Sequence, residues 1–308
     1  MGRAEHCYYA RRHGPPNRCR PFRRGEPRSL ALLGSWAFES TNSFTFTEAC
    51  STVLQPQPHQ VIMWGWSASP PPPPEPTIPI WVWNAFAALI VLAYIKTVIG
   101  VCDMLVKSHS LLPSDSRKVV HVAAGSWLLF WNLFDESHWT WQLNIFVPAA
   151  FTLTLALKGA IIRDPKDPDV RTMSRTGEPY ELLLGPLFFT VVMDIVGLYC
   201  FRTQVGALMM GALGVGDGIA PVAGARGTHR YKLLGRAKTL EGSAACFVGC
   251  VVGSAMYLHM LGLPAVTMHE NLILAAVATA VEAVSPPDVD NLLMPLAVWY
   301  VHTYGLLG

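Results

Sequence analysis

A single carboxylate, Asp217, lies within GVGDGIAPVAGARG (residues 214–227), among glycines, alanines and aliphatic side chains. A charge in apolar company is costly and glycines weaken the helix that holds them, so chemistry is the first thing to look for there. The following stretch, GARGTHRYKLLGRAKTLEG, holds Arg226, Arg230, Lys232, Arg236 and Lys238 and ends at Glu241 and Gly242. Elsewhere, EAVSPPDVDN supplies Glu282, Ser285, Asp288, Asp290 and Asn291, and RKVVH supplies Arg117, Lys118 and His121. Cations beside carboxylates suit a polyphosphate bound with magnesium: lysine and arginine neutralise phosphate oxygens, and one or two carboxylates hold a cation that keeps most of its waters. Glycines let backbone N–H groups come close to phosphate. Each part has a plainer reading when taken alone. A basic loop also serves as a topology signal or a headgroup surface, and glycines serve close helix packing, as Gly249 and Gly253 would. An intramembrane carboxylate tips the balance towards a site.

These residues need a frame to hold them. The chain has 308 residues, 51% hydrophobic and 14% charged, where an ordinary soluble domain carries about a quarter charged residues. Residues 78–105 are long and apolar enough to span a bilayer, and further candidates follow at 119–134, 139–162, 182–201, 205–222, 244–263, 271–284 and 292–307. Trp81, Trp83, Trp139, Trp141, Tyr199, Tyr257, Trp299 and Tyr300 lie near the ends, as interfacial anchors would. The expected fold is an all-α integral membrane protein, a multi-pass helical bundle of about eight transmembrane helices.

The chain divides into three parts. Residues 1–60 hold eight arginines within the first 28 positions and no lysine, and read as a transit peptide or a disordered basic tail. Residues 61–77 form a proline-rich linker, and 78–308 form the polytopic domain. The net charge of +2 is small, and no nucleic-acid partner is expected. The seven cysteines form no CxxC pair, and Cys246 with Cys250 reads as small apolar packing on one helix face.

Loop charges settle the orientation. Counting spans from residue 78, the loops on one face carry Lys107, Arg117 and Lys118, then Lys158, Arg163, Lys166, Arg171 and Arg175, then the basic loop after Asp217. The other face carries Asp135 and Glu136, with Arg202 the one basic residue between its spans. The basic face is therefore cytosolic or stromal. Asp217, the basic loop, Glu282, Asp288, Asp290, Asn291 and His121 all fall at that face.

In this order and spacing, the sequence resembles the polyprenol kinase family, which includes dolichol kinases and the plant phytol and farnesol kinases. The dolichol kinase pattern for CTP runs Asp-x-x-Ala-x-x-x-Gly-x-x-x-Gly, eight residues, then Lys-Lys-Thr-x-Glu-Gly. Asp217, Ala220, Gly224, Lys238, Thr239, Glu241 and Gly242 fall in that register, while Thr228 stands where the second glycine is expected and Ala237 replaces the first lysine. MSRTGEPYELLLGPLFF (residues 173–189), GDGIA, RKVVH and EAVSPPDVDN are similar to segments of the plant-type phytol and farnesol kinases. The likeness runs from about Arg117 to the C-terminus.

That resemblance implies phosphoryl transfer from CTP to the hydroxyl of a membrane prenyl alcohol, phytol first, feeding tocopherol or prenyl lipid synthesis. Farnesol, geranylgeraniol, dolichol or diacylglycerol would be the alternative acceptors. It implies Lys238, Arg226 and Arg230 on the phosphates, with Gly218 and Gly224 allowing close backbone approach and Ala220, Thr239 and Gly242 completing the nucleotide pattern. Asp217, Asp290 and Asn291 would hold Mg2+, and Glu241 or Asp217 would orient the alcohol and take its proton. His121, Arg175 and Glu282 are candidates for contact with substrate or neighbouring site residues. The partners implied are the alcohol, the nucleotide triphosphate and membrane lipid, in a chloroplast membrane or alternatively the endoplasmic reticulum. A cytidylyltransferase and a non-enzymatic lipid transporter are the readings from other classes, the transporter being expected to show internal repeats. Among the remainder, His259 and His302 are expected to be packed and hydrogen-bonded. The aspartates of RDPKDPDV (163–170) should sit in a solvated loop, Lys96 should snorkel or face the bundle, and Asp194 has no assigned role.

Overall fold

With no water to satisfy the backbone in a bilayer, apolar runs close their hydrogen bonds internally as helices. A computed structural model describes residues 78–234 and 236–305. The tail and the proline-rich linker, expected over 1–60 and 61–77, lie outside the described residues. Helix α1 (Ile80–Lys107) is followed by α2 (Pro113–Gly125), which continues through a 3-10 segment, Ser126–Leu133. A second 3-10 segment, Trp139–Ile145, leads into α3 (Phe146–Leu157) and a π turn, Lys158–Ile162. The short α4 (Pro168–Met173) and a 3-10 turn, Pro179–Leu183, precede α5 (Gly185–Tyr199). Then α6 (Gln204–Met210), a π segment (Gly211–Asp217) and α7 (Gly218–Arg226) form one run. After it come β1 (Arg230–Leu233), β2 (Arg236–Thr239), α8 (Leu240–Met260), α9 (Met268–Val284) and α10 (Asp290–Thr303).

The protein is a helical membrane protein. Five helical runs are long and apolar enough to cross a membrane: Ile80–Lys107, Trp139–Ile162, Pro179–Tyr199, Gln204–Arg226 and Leu240–Met260. The other three expected spans are helical but fall short of that length and apolarity. The region 119–134 is divided between α2, which carries Asp115, Arg117 and Lys118, and its 3-10 continuation, while α9 has 17 residues and α10 has 14. The bundle is also not purely α, because part of the basic loop is an antiparallel hairpin that pairs Arg230 with Thr239 and Leu233 with Arg236. Leu234 enters its turn at φ +49°.

The run Gln204–Arg226 is the central element. Its most apolar window is 72% buried, against 28–44% in the other four. Glycine explains how neighbours come so near. A Cβ at Gly125 of α2 would stand 2.8 Å from the Cα of Gly214, and one at Gly211 would stand 2.5 Å from the Ser254 nitrogen of α8. On the α8 side, Gly249 and Gly253 receive Ile219 and Val215. The small-residue packing reading of these glycines is thus correct, and Cys246 and Cys250 are buried in the same seam with free thiols.

Other expectations change. Of the RDPKDPDV aspartates, Asp164 is exposed as expected, but Asp167 caps α4 and Lys158 reaches Asp167 at 2.9 Å and Asp169 at 2.5 Å; Arg171, just beyond, pairs with Asp103 at 2.9 Å. These pairs anchor the loop to the ends of α1 and α3. His302 is packed as expected and meets Glu270 at 2.8 Å, but His259 is exposed. Lys96 lies 5.1 Å above the Phe151 ring, and Asp194 accepts from Thr152 at 2.8 Å. On the opposite face, two hydrogen bonds from Ser137 hold the Asp135 carboxyl below its usual range.

Replacing Gly125 by Ala should therefore destabilise the fold by about 1–3 kcal/mol, because the facing atom is backbone and cannot swing away. Gly100→Ala, where an added Cβ meets nothing within 4 Å, should be neutral or slightly stabilising. Thermal unfolding of the detergent-solubilised variants measures the difference.

Candidate functional site

Asp217 closes the π segment and is only 4% exposed. π turns widen a helix and collect at functional sites. Four residues on, Pro221 lies inside α7 and has no N–H to give the Asp217 carbonyl. Lys118 takes up both consequences, donating to the Asp217 carbonyl at 3.3 Å and to its Oδ2 at 3.0 Å. His121, one turn along α2, places Nε2 3.0 Å from the Leu213 carbonyl and 3.3 Å from Asp217 Oδ2. A carbonyl can only accept, so Nε2 carries the hydrogen. The ring packs against Phe189, tilted by 35° with centroids 4.1 Å apart. RKVVH thus supplies the cation and the imidazole that hold the buried carboxylate.

These groups form the polar mouth of one cavity. Arg117, Lys118, His121, Arg175, Asp217, Asp288, Asp290 and Asn291 line that end. The body is apolar, walled by Ile95 and Ile99 of α1, Trp127 after α2, Phe151 and Leu155 of α3, and Phe189 and Met193 of α5. Arg175 donates to Asp288 at 2.6 Å, and the Glu181 carboxylate fixes the turn before it through the backbone N–H groups of Arg175 and Thr176. Gly185 lies so close to Asp288 that a Cβ there would stand 2.6 Å from its carboxylate oxygen.

A second pocket lies beside the first. Its wall carries Ala220, Gly224, Lys238, Thr239 and Gly242 of the quoted pattern, together with Pro221 of α7, Ala237 of β2, Ser243 of α8 and Glu282 of α9. Thr239 caps α8 by accepting from the Gly242 N–H at 3.2 Å, and Lys238 donates to Glu282. The positions 217, 220, 221 and 224 follow helical spacing, so one face of the central run presents Asp217 to the first cavity and Ala220 and Gly224 to the second.

Three oxygen groups suit a hard cation. Burial, reinforced by the negative charge of Asp217, raises the Asp290 carboxyl, and Lys118 and Lys238 oppose the rise. The Asn291 amide nitrogen donates to the Gly185 carbonyl at 3.1 Å, while its Oδ1 is buried without a partner among the described residues. Two carboxylates and an unpaired amide oxygen on one cavity fit magnesium, which prefers oxygen donors and keeps several waters. Among the described residues no group of three or more His, Cys, Asp and Glu side chains gathers into an all-protein cage.

Several expected residues are placed differently. Glu241 lines neither pocket. Its carboxylate accepts from the Thr228 N–H at 2.9 Å and the His229 N–H at 3.1 Å, and meets His229 Nδ1 at 2.8 Å. Gly227 makes room for it, since a Cβ there would stand 2.5 Å from Glu241 Oε2. Glu241 therefore fastens the basic loop, and Thr228, in the place of the pattern's glycine, contributes an N–H to that fastening. Gly218 packs against Val122 of α2 and does not face an open phosphate cradle. Arg226 is exposed, donates to the Val222 carbonyl and stands 3.9 Å from Asp115. Arg230 is exposed on β1. Arg117 and Lys118, named in RKVVH but given no individual role from the sequence, both line the cavity, and Arg117 Nε is buried without a hydrogen-bond partner among the described residues.

No protein-family model and no solved structure matches the chain. Curated plant proteins do. The chain is 30% identical to a probable chloroplastic phytol kinase of Triticum aestivum over 226 residues, covering 70% of this chain and 75% of the relative. It is 32% identical to a probable chloroplastic phytol kinase of Zea mays over 218 residues (67% and 71%), and 30% identical to the chloroplastic phytol kinase 1 of Arabidopsis thaliana over 209 residues (63% and 67%). Covering that much of both proteins at that identity, the resemblance read from Asp217, the Lys-Thr-x-Glu-Gly segment and their neighbours has one conclusion: the chain belongs to the phytol kinase family.

Proposed function

We propose that the chain is a membrane-embedded kinase that transfers the terminal phosphoryl group of CTP to the hydroxyl of a prenyl alcohol, with phytol as the acceptor. The observation that carries this reading is the single cavity with an apolar body and a mouth of Lys118, His121, Asp217 and Asp290, set beside the pocket of Lys238 and Thr239. A hydrocarbon tail in the apolar part brings its hydroxyl to the carboxylates, and a nucleotide entering from the basic face brings its phosphates to Lys238. The names of the relatives support phytol and a chloroplast membrane.

Phosphoryl transfer asks mainly for positioning and charge stabilisation. The alcohol oxygen attacks the terminal phosphorus and forms a new O–P bond. The bond from that phosphorus to the bridging oxygen breaks, and the nucleoside diphosphate leaves with the electron pair. The hydroxyl proton passes to a carboxylate of the Asp217 and Asp290 pair. The Lys118 hydrogen bond and the His121 contact both fall on Asp217 Oδ2, which leaves Oδ1 for the cavity. Asp217, Asp290 and Asn291 would hold magnesium, which when bound neutralises charge on the phosphate oxygens. Lys238, released from Glu282, would pair with the nucleotide phosphates, and the apolar walls keep water from the reacting phosphorus.

The test is a transfer assay on membranes bearing the chain, with phytol, farnesol or dolichol and CTP or ATP labelled in the terminal phosphate. The expected result is a labelled lipid monophosphate and release of nucleoside diphosphate. Release of pyrophosphate with a cytidylyl lipid would instead indicate a cytidylyltransferase, and no labelled lipid from any alcohol would overturn the kinase reading.

Asp217→Asn should lower turnover by roughly 100-fold or more, the scale of losing a preorganised electrostatic group. Lys238→Met should act chiefly on the nucleotide, raising its KM about tenfold or more while the KM for the alcohol stays near wild type. Steady-state kinetics with each substrate varied in turn separates the two effects.

A further inference from the structure

The mouth of the apolar cavity holds a cation, Arg117, that makes no direct pair among the described residues. The Arg117 side chain is partly buried there, its Nε is fully buried, and among the described residues its guanidinium makes no hydrogen bond or ion pair. An arginine carries five donors in a rigid fork and stays charged, so leaving it inside a cavity without an acceptor is costly. After burial, the largest effect on Arg117 is the like charge of Arg175; both lower its affinity for its proton, and the charges of Asp288, Asp217 and Glu181 oppose them without a direct pair. Arg175 is itself tied to Asp288 at 2.6 Å, so that carboxylate is already engaged. Two guanidinia brought together at a cavity mouth, one of them unpaired, describe a site for an anion of more than one charge.

What kind of anion follows from the wall below. The guanidinia open on the cavity whose body is Trp127, Phe151 and Met193, not on the second pocket around Lys238. An anion held there can carry a hydrocarbon chain into the same cavity. We propose that Arg117 and Arg175 form a subsite for the phosphate of a prenyl monophosphate, the product head group, separate from the place taken by the nucleotide's remaining phosphates. The choice of ligand rests on the kinase reading. During transfer the phosphoryl group moves from the nucleotide's bridging oxygen to the alcohol oxygen and becomes a dianion beside Asp217 and Asp290. Arg117 supplies the countercharge on the lipid side of the new O–P bond. Arg175, anchored by Asp288, closes the same site from the outer edge.

The full chain, purified in detergent, tests this by equilibrium binding of farnesyl monophosphate, with farnesol, CTP and inorganic phosphate as the other ligands. Arg117→Gln should weaken farnesyl monophosphate about tenfold or more and leave farnesol and CTP near wild-type affinity. Arg117→Lys, which keeps the charge and loses the fork, should fall between the two. Without ligand, Arg117→Gln should unfold at the wild-type temperature or above it, because an unpaired buried charge has been removed; an arginine with a merely structural role would lower it. Unchanged farnesyl monophosphate binding in Arg117→Gln, an equal loss for CTP, or displacement by inorganic phosphate at matching concentration would each overturn the subsite. A wild type that binds farnesyl monophosphate but phosphorylates no alcohol leaves the subsite standing and removes the kinase reading.

Discussion

Lys118 against Asp217 is the contact on which the rest of the structure depends. A carboxylate 4% exposed within the most buried helical run is tolerable only with a partner in place, and removing one member of a buried pair typically costs several kcal/mol. The 3.0 Å bond to Oδ2 supplies that partner, and the 3.3 Å bond to the carbonyl repairs the backbone gap left by Pro221. Neither forms unless α2 lies almost on top of the π segment. The glycine contact between Gly125, seven residues beyond Lys118, and Gly214, three residues before Asp217, permits that approach. Packing and chemistry here are one arrangement.

That arrangement also sorts the interior into two compartments. The central run presents Asp217 to a cavity walled by α1, α2, α3 and α5, and Ala220 with Gly224 to a pocket walled by β2, α8 and α9. The first has an apolar body and a polar mouth, as a site for an amphiphile would, and the second gathers Ala220, Gly224, Lys238, Thr239 and Gly242 of the family pattern. A reaction between a lipid hydroxyl and a water-borne phosphate donor needs such a division, because the two substrates come from different solvents. Lys238 stands between them: it lines the second pocket, and its charge still reaches Asp290 in the first.

Much of this was legible in the sequence because topology and charge are written locally. Counting spans and basic loops was enough to bring Asp217, His121, Glu282 and Asp290 to one face, and the apolar runs were enough to predict a helical membrane protein. What failed needed three-dimensional partners. Glu241 looked catalytic until its carboxylate was found on the Thr228 and His229 N–H groups, a local turn that no pattern of residue types announces. Gly218 looked like a phosphate cradle, but its open side is filled by Val122. Arg117 was named in RKVVH without a role of its own, and the lack of a partner for its Nε among the described residues shows only in three dimensions. Asp167 and Asp169 looked solvated because proline spacing hides the reach of Lys158. The count of about eight spans blurred where α2 mixes charge with apolar residues and where α9 and α10 are short.

The central claim is that the alcohol lies inside the bundle with its head at Asp217. A phytol analogue bearing a photoreactive diazirine near its tail, irradiated with the purified chain and mapped by mass spectrometry, tests this directly. Labelling should fall on cavity-wall residues such as Phe151 and Met193 and should disappear with excess phytol. Labelling confined to the exposed apolar face of α8, at Val248 and Val252, and indifferent to excess phytol would contradict the account.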